Sequence, residues 1–315
     1  MKAGGPLGRF LVALSCALTL SASACEPKQK PSPATPTVEA PRAAQAPRSP
    51  VFLWRAEVGG ATLHMLGSVH VARANLYPLD ARIEGAFAQS DVLVLELALD
   101  EAAQLGAAQR MMELGRLDPG VRLADVVQPE TYDLLVKTQE RNGMSLFGLR
   151  GFRPWFVALG LTTQALEREG FSASHGIDEH FRRQAEGHKR IVALETVDEQ
   201  LALFTGLPRD AEEHLLRQTL EELDNYGAEL DSTFEAWSAG DAAALDRLMI
   251  GPMRAQYPAL FAQLFTLRNE KMVQKLLELT KTPGRYFVVV GAGHLVGSSG
   301  IVDLLRSRGI VSTQL

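Results

Sequence analysis

Two short stretches separated by most of the chain carry the same pattern: Gly67-Ser68-Val69-His70 and Gly291-Ala292-Gly293-His294. Each follows a strand-like run, Thr62–Leu66 and Tyr286–Val290, and each places a histidine on a turn just after it. Two further strand-like runs, Asp91–Leu97 and Arg190–Leu194, present Glu96 near the end of the first and Glu195 directly after the second. In open α/β sheets the chemistry gathers where strands end. Imidazole and carboxylate together suit zinc, manganese, cobalt or iron. A metal held by few protein ligands lowers the pKa of a bound water from about 15.7 to about 7. A neighbouring carboxylate can then take the proton. His70 and His294 are therefore read as metal ligands, and Glu96 as a ligand or general base. A strand-end histidine is also an ordinary structural residue, and either glutamate also suits a helix cap or an ion pair. For Glu195 that structural reading, helix cap or ion pair, is the preferred one.

The remaining polar candidates are weaker. His175 and His180 flank Asp178, but their spacing matches no pair on one helix face. Asp178 is read as a local structural or site-orienting residue, and His175, His180 and His188 as surface groups. His64 lies within a strand-like run and His214 on a charged helix, and both are read as structural. Arg268-Asn269, within an apolar helical stretch, can reach the site and bind a carboxylate or carbonyl, or can simply lie on the helix surface. Ser68 has no histidine at a recognisable spacing, which argues against a serine hydrolase. Both cysteines, Cys16 and Cys25, precede Val51, so the folded segment has no thiol nucleophile and no disulfide.

The elements that must position these groups form an alternating pattern. Val51–Glu57 and Thr62–Leu66 read as strands joined through Gly59-Gly60, a pair that accepts positive φ in a tight hairpin. Asp80–Gln89 reads as a helix before the buried strand Asp91–Leu97. From Glu101 to Gly170 the pattern is helical, with starts at Pro129 and Pro154. A short helix to about Gly187 precedes the buried strand Arg190–Leu194. A long helical stretch then runs to about Lys281, broken near Gly206-Leu207-Pro208, Gly240-Asp241 and Gly251-Pro252. Tyr286–Val290 is the last predicted strand, and Ile301–Arg308 the closing helix. The repeated Gly-x-x-His and Leu-Glu pairs suggest a duplicated α/β unit. The fold class is thus α/β, a central, mostly parallel sheet with helical insertions.

The first fifty residues stand apart. Lys2 and Arg9, the apolar stretch Phe10–Leu20 and the small residues Ser21–Ala24 make a secretory leader over residues 1–24, too short for a membrane span. Cleavage before Cys25 would let that thiol carry lipid and anchor the protein to a membrane. Residues 26–50 hold seven of the sixteen prolines and few large apolar side chains, the composition of a disordered tether. The expected location is the periplasm or cell envelope, with one folded domain over residues 51–315. The formal charge of −5, with no Lys/Arg cluster interleaved with aromatics, argues against nucleic acid as the partner.

At Leu66-Gly67-Ser68-Val69-His70-Val71, Leu95-Glu96, Gly176-Ile177-Asp178, Leu194-Glu195-Thr196, Gln200, Trp237 with Gly240-Asp241, Arg268-Asn269 and Val290-Gly291-Ala292-Gly293-His294-Leu295 the sequence resembles the TraB/GumN family and its TIKI-like superfamily. The resemblance spans nearly all of residues 51–315 in motif order. It implies a fold like that of erythromycin esterase and the haem-binding lipoprotein ChaN, and a metal-dependent peptidase using manganese or cobalt; zinc stays open on the donor types alone. It places His70, Glu96 and His294 in the site, with Arg268 as a further catalytic candidate. The rival expectation is a binding protein that sequesters peptide, haem or metal without turnover.

Overall fold

The computed structural model describes residues 49–143 and 148–315. The expected leader, Cys25 and all but the last two residues of the tether lie outside the described residues. Six strands form one mixed sheet: β1 (Leu53–Val58), β2 (Ala61–Ser68), β3 (Val92–Leu95), β4 (Arg190–Ala193), β5 (Arg285–Gly291) and β6 (Ser312–Gln314). Their order across the sheet is β4-β3-β5-β2-β1-β6. The first four in that order run parallel, while β1 pairs antiparallel with β2 and β6.

The strand sequences explain their places. Every residue of β3 is buried, as are all residues of β5 after Arg285. Such unbroken apolar runs fit strands covered on both faces. Arg190–Leu194, expected to be buried, instead supplies the edge strand β4. Its Arg190 and Ala193 are exposed, and Ile191 and Val192 half-buried. One open side is the reason: β4 pairs only with β3. The terminal strand β6 is too short and polar to have been read from periodicity.

The helices run in chain order as α1 (Ala81–Gln89), α2 (Glu101–Gly115), α3 (Pro129–Asn142), α4 (Pro154–Arg168), α5 (Ile177–Ala185), α6 (Val197–Thr205), α7 (Arg209–Glu222), α8 (Tyr226–Ser238), α9 (Ala242–Leu245), α10 (Gly251–Gln256), α11 (Pro258–Phe261), α12 (Leu267–Leu279) and α13 (Ile301–Arg306). Pro129 and Pro154 open α3 and α4 at the position where proline's missing N–H costs nothing. Thr196 and Glu199 close a capping box that starts α6 directly after β4 and Glu195. Contrary to the expectation from sequence, the helical stretch is not broken at Gly251-Pro252. A π-helical turn, Asp246–Ile250, joins α9 to α10, and the break falls at Tyr257. A second π-helical turn, Ala262–Thr266, leads into α12.

Candidate functional site

The parallel strands β2, β5 and β3 lie side by side, so residues at their C-terminal ends meet at one edge. Their registers align Leu66 with Val289 and Val289 with Leu95. This brings His70, Glu96 and His294 together, although long stretches of sequence separate them. His70 Nε2 stands 4.0 Å from Glu96 Oε1, and His294 Nε2 stands 3.7 Å from the same oxygen. The Gly-x-x-His motifs thus end adjacent strands, β2 and β5. The Leu-Glu motifs end β3 and β4, where Glu195 N–H donates to Glu96 O at 2.8 Å.

Each imidazole is held from behind. Asp178 Oδ2 lies 2.8 Å from His70 Nδ1, and Ser68 Oγ donates to Asp178 Oδ1 at 3.0 Å. Asn269 Nδ2 donates to Ser299 O at 2.7 Å, so its Oδ1 is the atom facing His294 Nδ1, 2.5 Å away. Because both Nδ1 atoms face acceptors, each carries its proton there. The two Nε2 atoms are left to face Glu96.

A tight approach sets Asp178. Ile177 N–H donates to Val69 O at 3.1 Å, laying the start of α5 against the Ser68–His70 turn. A Cβ on Gly176 would fall 2.2 Å from His70 O, a contact that only glycine avoids. The Gly176-Ile177-Asp178 sequence therefore lets Asp178 reach His70.

Glu96 is also held from behind. Its Oε2 accepts from Arg268 Nη2 at 2.8 Å and from Gln200 Nε2 at 3.4 Å. Its Oε1 accepts from Gly291 N–H at 2.6 Å. Arg268 is 5% exposed and spends its other donors on Glu195 (Nε to Oε1 at 2.7 Å, Nη2 to Oε2 at 2.6 Å) and on Leu264 O (Nη1, 3.1 Å). It is a positioning residue behind Glu96. Glu195 is its ion-pair partner, one of the two structural readings left open from sequence.

The charges follow from this packing. Burial disfavours a charged His70, but Asp178 and Glu96 outweigh it and raise its pKa to about 9. Burial, then Arg268, lowers that of His294 to about 3. Burial favours a neutral Glu96, yet His294, Arg268, His70 and the Gly291 N–H hold it well below the usual carboxylate range. At neutral pH and without metal, an imidazolium, a carboxylate and a neutral imidazole face one another.

Other expected residues lie elsewhere. His188 and His214 are exposed and His64 is half-buried in β2. His175 and His180 are half-buried rather than surface groups. His180 stacks on Tyr77 with ring centroids 4.3 Å apart, and Tyr77 Oη donates to His175 O at 2.8 Å. Ser68 bonds Asp178 rather than a histidine. Residues whose part was not read from the sequence are Asn269 as the partner of His294, and Gln200. Both stand in the resemblance motifs, which was the available signal.

Among the described residues, no group of three or more His, Cys, Asp and Glu is placed closely enough to hold a metal ion as it stands. Two ligands of a tetrahedral zinc stand about 3.4 Å apart at ordinary bond lengths, so the present N···O separations are a few tenths of an ångström wide. The donor types are those that a divalent metal takes. An added Cβ at Gly291 would stand 3.0 Å from His70 Nε2, 3.3 Å from Glu96 Oε1 and 3.6 Å from His294 Cδ2. Glycine there leaves the three donors a common space.

An α/β sheet whose parallel strand ends converge two imidazoles on one buried carboxylate is the scaffold in hand. The chain belongs to the TraB/PrgY/gumN family, whose model matches residues 52–314. It is 26% identical over 267 residues to the uncharacterized protein YbaP of Escherichia coli (strain K12), covering 79% of this chain and 89% of that protein. It is 20% identical over 272 residues to an uncharacterized protein of Treponema pallidum (strain Nichols), covering 82% and 80%. It is 24% identical over 312 residues to the metalloprotease TIKI1 of Danio rerio, covering 82% of this chain and 62% of that protein. No solved structure matches the chain.

Proposed function

We propose that the protein is a metal-dependent hydrolase acting on peptides, exported and tethered to a membrane through Cys25. One observation carries the catalytic part: His70 Nε2, His294 Nε2 and Glu96 Oε1 converge while their remaining polar atoms are engaged from behind. Ligating histidines characteristically pass their other ring N–H to a carboxylate or carbonyl acceptor. The similarity to a relative named a metalloprotease supports the same class.

His70, His294 and Glu96 would hold the metal, with manganese, cobalt or zinc as the ion. When bound, it would supply Lewis-acid polarisation and a water acidic enough to ionise near neutral pH. Neutral His294 keeps its Nε2 lone pair aimed into the site because Asn269 takes the Nδ1 proton. Glu96 stays ionised through its Arg268 and Gly291 partners, so Oε1 can ligate or accept a proton. Asp178 fixes the plane of the His70 ring.

The test compares wild type with His70→Ala for bound divalent metal and for cleavage of a peptide mixture. Wild type is expected to retain about one equivalent of manganese, cobalt or zinc after gel filtration and to cleave peptides in a chelator-sensitive way. The variant is expected to lose both. Equal metal and equal cleavage in the two proteins would sink the proposal. Peptide bound by wild type but left intact after long incubation would support a sequestering protein instead.

A further inference from the structure

We propose that Gln200 is a positioning residue for Glu96 and that the far end of its amide holds an internal water. This rests on Glu96 as the functional carboxylate and deepens the hydrolase reading. Gln200 lies one turn into α6, four residues after the Thr196 cap, and is 1% exposed. Its Nε2 donates to Glu195 Oε2 at 3.0 Å and lies 3.4 Å from Glu96 Oε2. Ionised carboxylates only accept hydrogen bonds, so the amide nitrogen must face them and Oε1 must face away. The two orientations of the amide are not interchangeable here.

Two consequences follow. Arg268 Nη2 and Gln200 Nε2 are the donors standing between Glu96 and Glu195, and both take the Oε2 oxygen of each acid. They thereby turn Glu96 Oε1 toward the two imidazoles. The second consequence concerns Gln200 Oε1, which is buried and accepts a hydrogen bond from no described residue. A buried acceptor left unmet is disfavoured, and internal waters characteristically satisfy such groups. Gln200 is closed from bulk solvent, so a resident water is the donor that fits rather than a substrate group.

A crystal structure of the wild-type protein, at a resolution where waters are visible, is expected to show a water within about 3.2 Å of Gln200 Oε1. A dry Oε1, or one taken by a protein donor, overturns the hydration site. The Gln200→Met variant keeps the volume and removes both polar ends. Its crystal structure is expected to show the Glu96 carboxylate rotated away from the imidazoles, and its Mn(II) affinity by calorimetry to fall about 10–100-fold. In peptide turnover kcat per folded molecule, with the folded fraction set by circular dichroism, is expected to fall with KM nearly unchanged. An unmoved Glu96 with unchanged metal affinity and kcat overturns the positioning role. If wild type cleaves no peptide, the hydrolase reading fails, while the Glu96 geometry and the water still decide the role of Gln200.

Discussion

Glu96 divides its two oxygens between tasks. Oε2 is tied to Arg268 and Gln200, while Oε1 faces His70 and His294. A similar division holds in both imidazoles, whose Nδ1 atoms are committed to Asp178 and Asn269. Removing a partner behind an imidazole should loosen its ring rather than unfold the chain. Asp178 is suited to this test because its side chain is 25% exposed. Asp178→Ala is expected to lower Mn(II) affinity and peptide turnover about 10–100-fold, with an unchanged far-UV circular dichroism spectrum. Asp178→Asn can still accept the Nδ1 proton and should recover most of the loss. Calorimetric titration of both variants checks this, and equal defects in the two would show that charge, not ring orientation, is what Asp178 supplies.

The strands impose the convergence. Parallel neighbours β2, β5 and β3 present their C-terminal ends together, and the turns after β2 and β5 carry the two histidines. The helices press on these turns from outside. Phe265, in the π-helical turn before α12, packs with its ring centroid 5.1 Å from that of His294. π-helical turns recur at functional sites because the extra residue re-aims the side chains beside it. Gly291 ends β5 among the donors, and the atoms nearest an added methyl are side chains, not backbone. Gly291→Ala is therefore expected to fold with a melting temperature within a few degrees of wild type. Its methyl would occupy the space between His70 Nε2 and Glu96 Oε1, so Mn(II) affinity should fall more than about tenfold. Wild-type metal affinity in this variant would show that the three donors do not share a ligand.

The molecule as a whole stores opposed charge states at one edge of its sheet, and these should govern its pH stability when chelator keeps metal away. His70 has its pKa raised from 6.5 to about 9. Its contribution is fully present below 6.5 and is lost as pH rises through about 9. His294 has its pKa lowered from 6.5 to about 3. Its contribution is fully present above 6.5 and is lost as pH falls toward about 3. Their joint share of stability therefore peaks near pH 6.5 and declines on both sides. Melting temperatures measured from pH 4 to 10 are expected to follow that shape, and His70→Gln should flatten the alkaline limb. A wild-type melting temperature that climbs steadily from pH 6.5 to 9 would contradict the charge assignment of His70. The ends of the described domain are tied together independently of this site. Val51 N–H donates to Leu315 O at 2.7 Å, and Gln314 Nε2 donates to Val51 O at 2.9 Å. None of the described helices is long and apolar enough to cross a membrane.

Much of this was legible in the residues. Unbroken apolar runs marked β3 and β5, Gly59-Gly60 marked the β1–β2 hairpin, and Pro129 and Pro154 marked helix starts. Residue type also marked His70, Glu96 and His294 as candidates, because local sequence fixes strand, turn and chemistry together. It could not order the strands, since backbone pairing between distant segments leaves no local periodicity. For the same reason β4 read as buried until its single neighbour showed it to be an edge. The partners of the site were hidden more deeply. Arg268, Asn269 and Gln200 sit on helices far along the chain, and what each atom donates to depends on which surfaces pack together. The chain's local pattern supplied a histidine after a strand. Tertiary packing made it an imidazole with its Nδ1 held and its Nε2 aimed at a buried carboxylate.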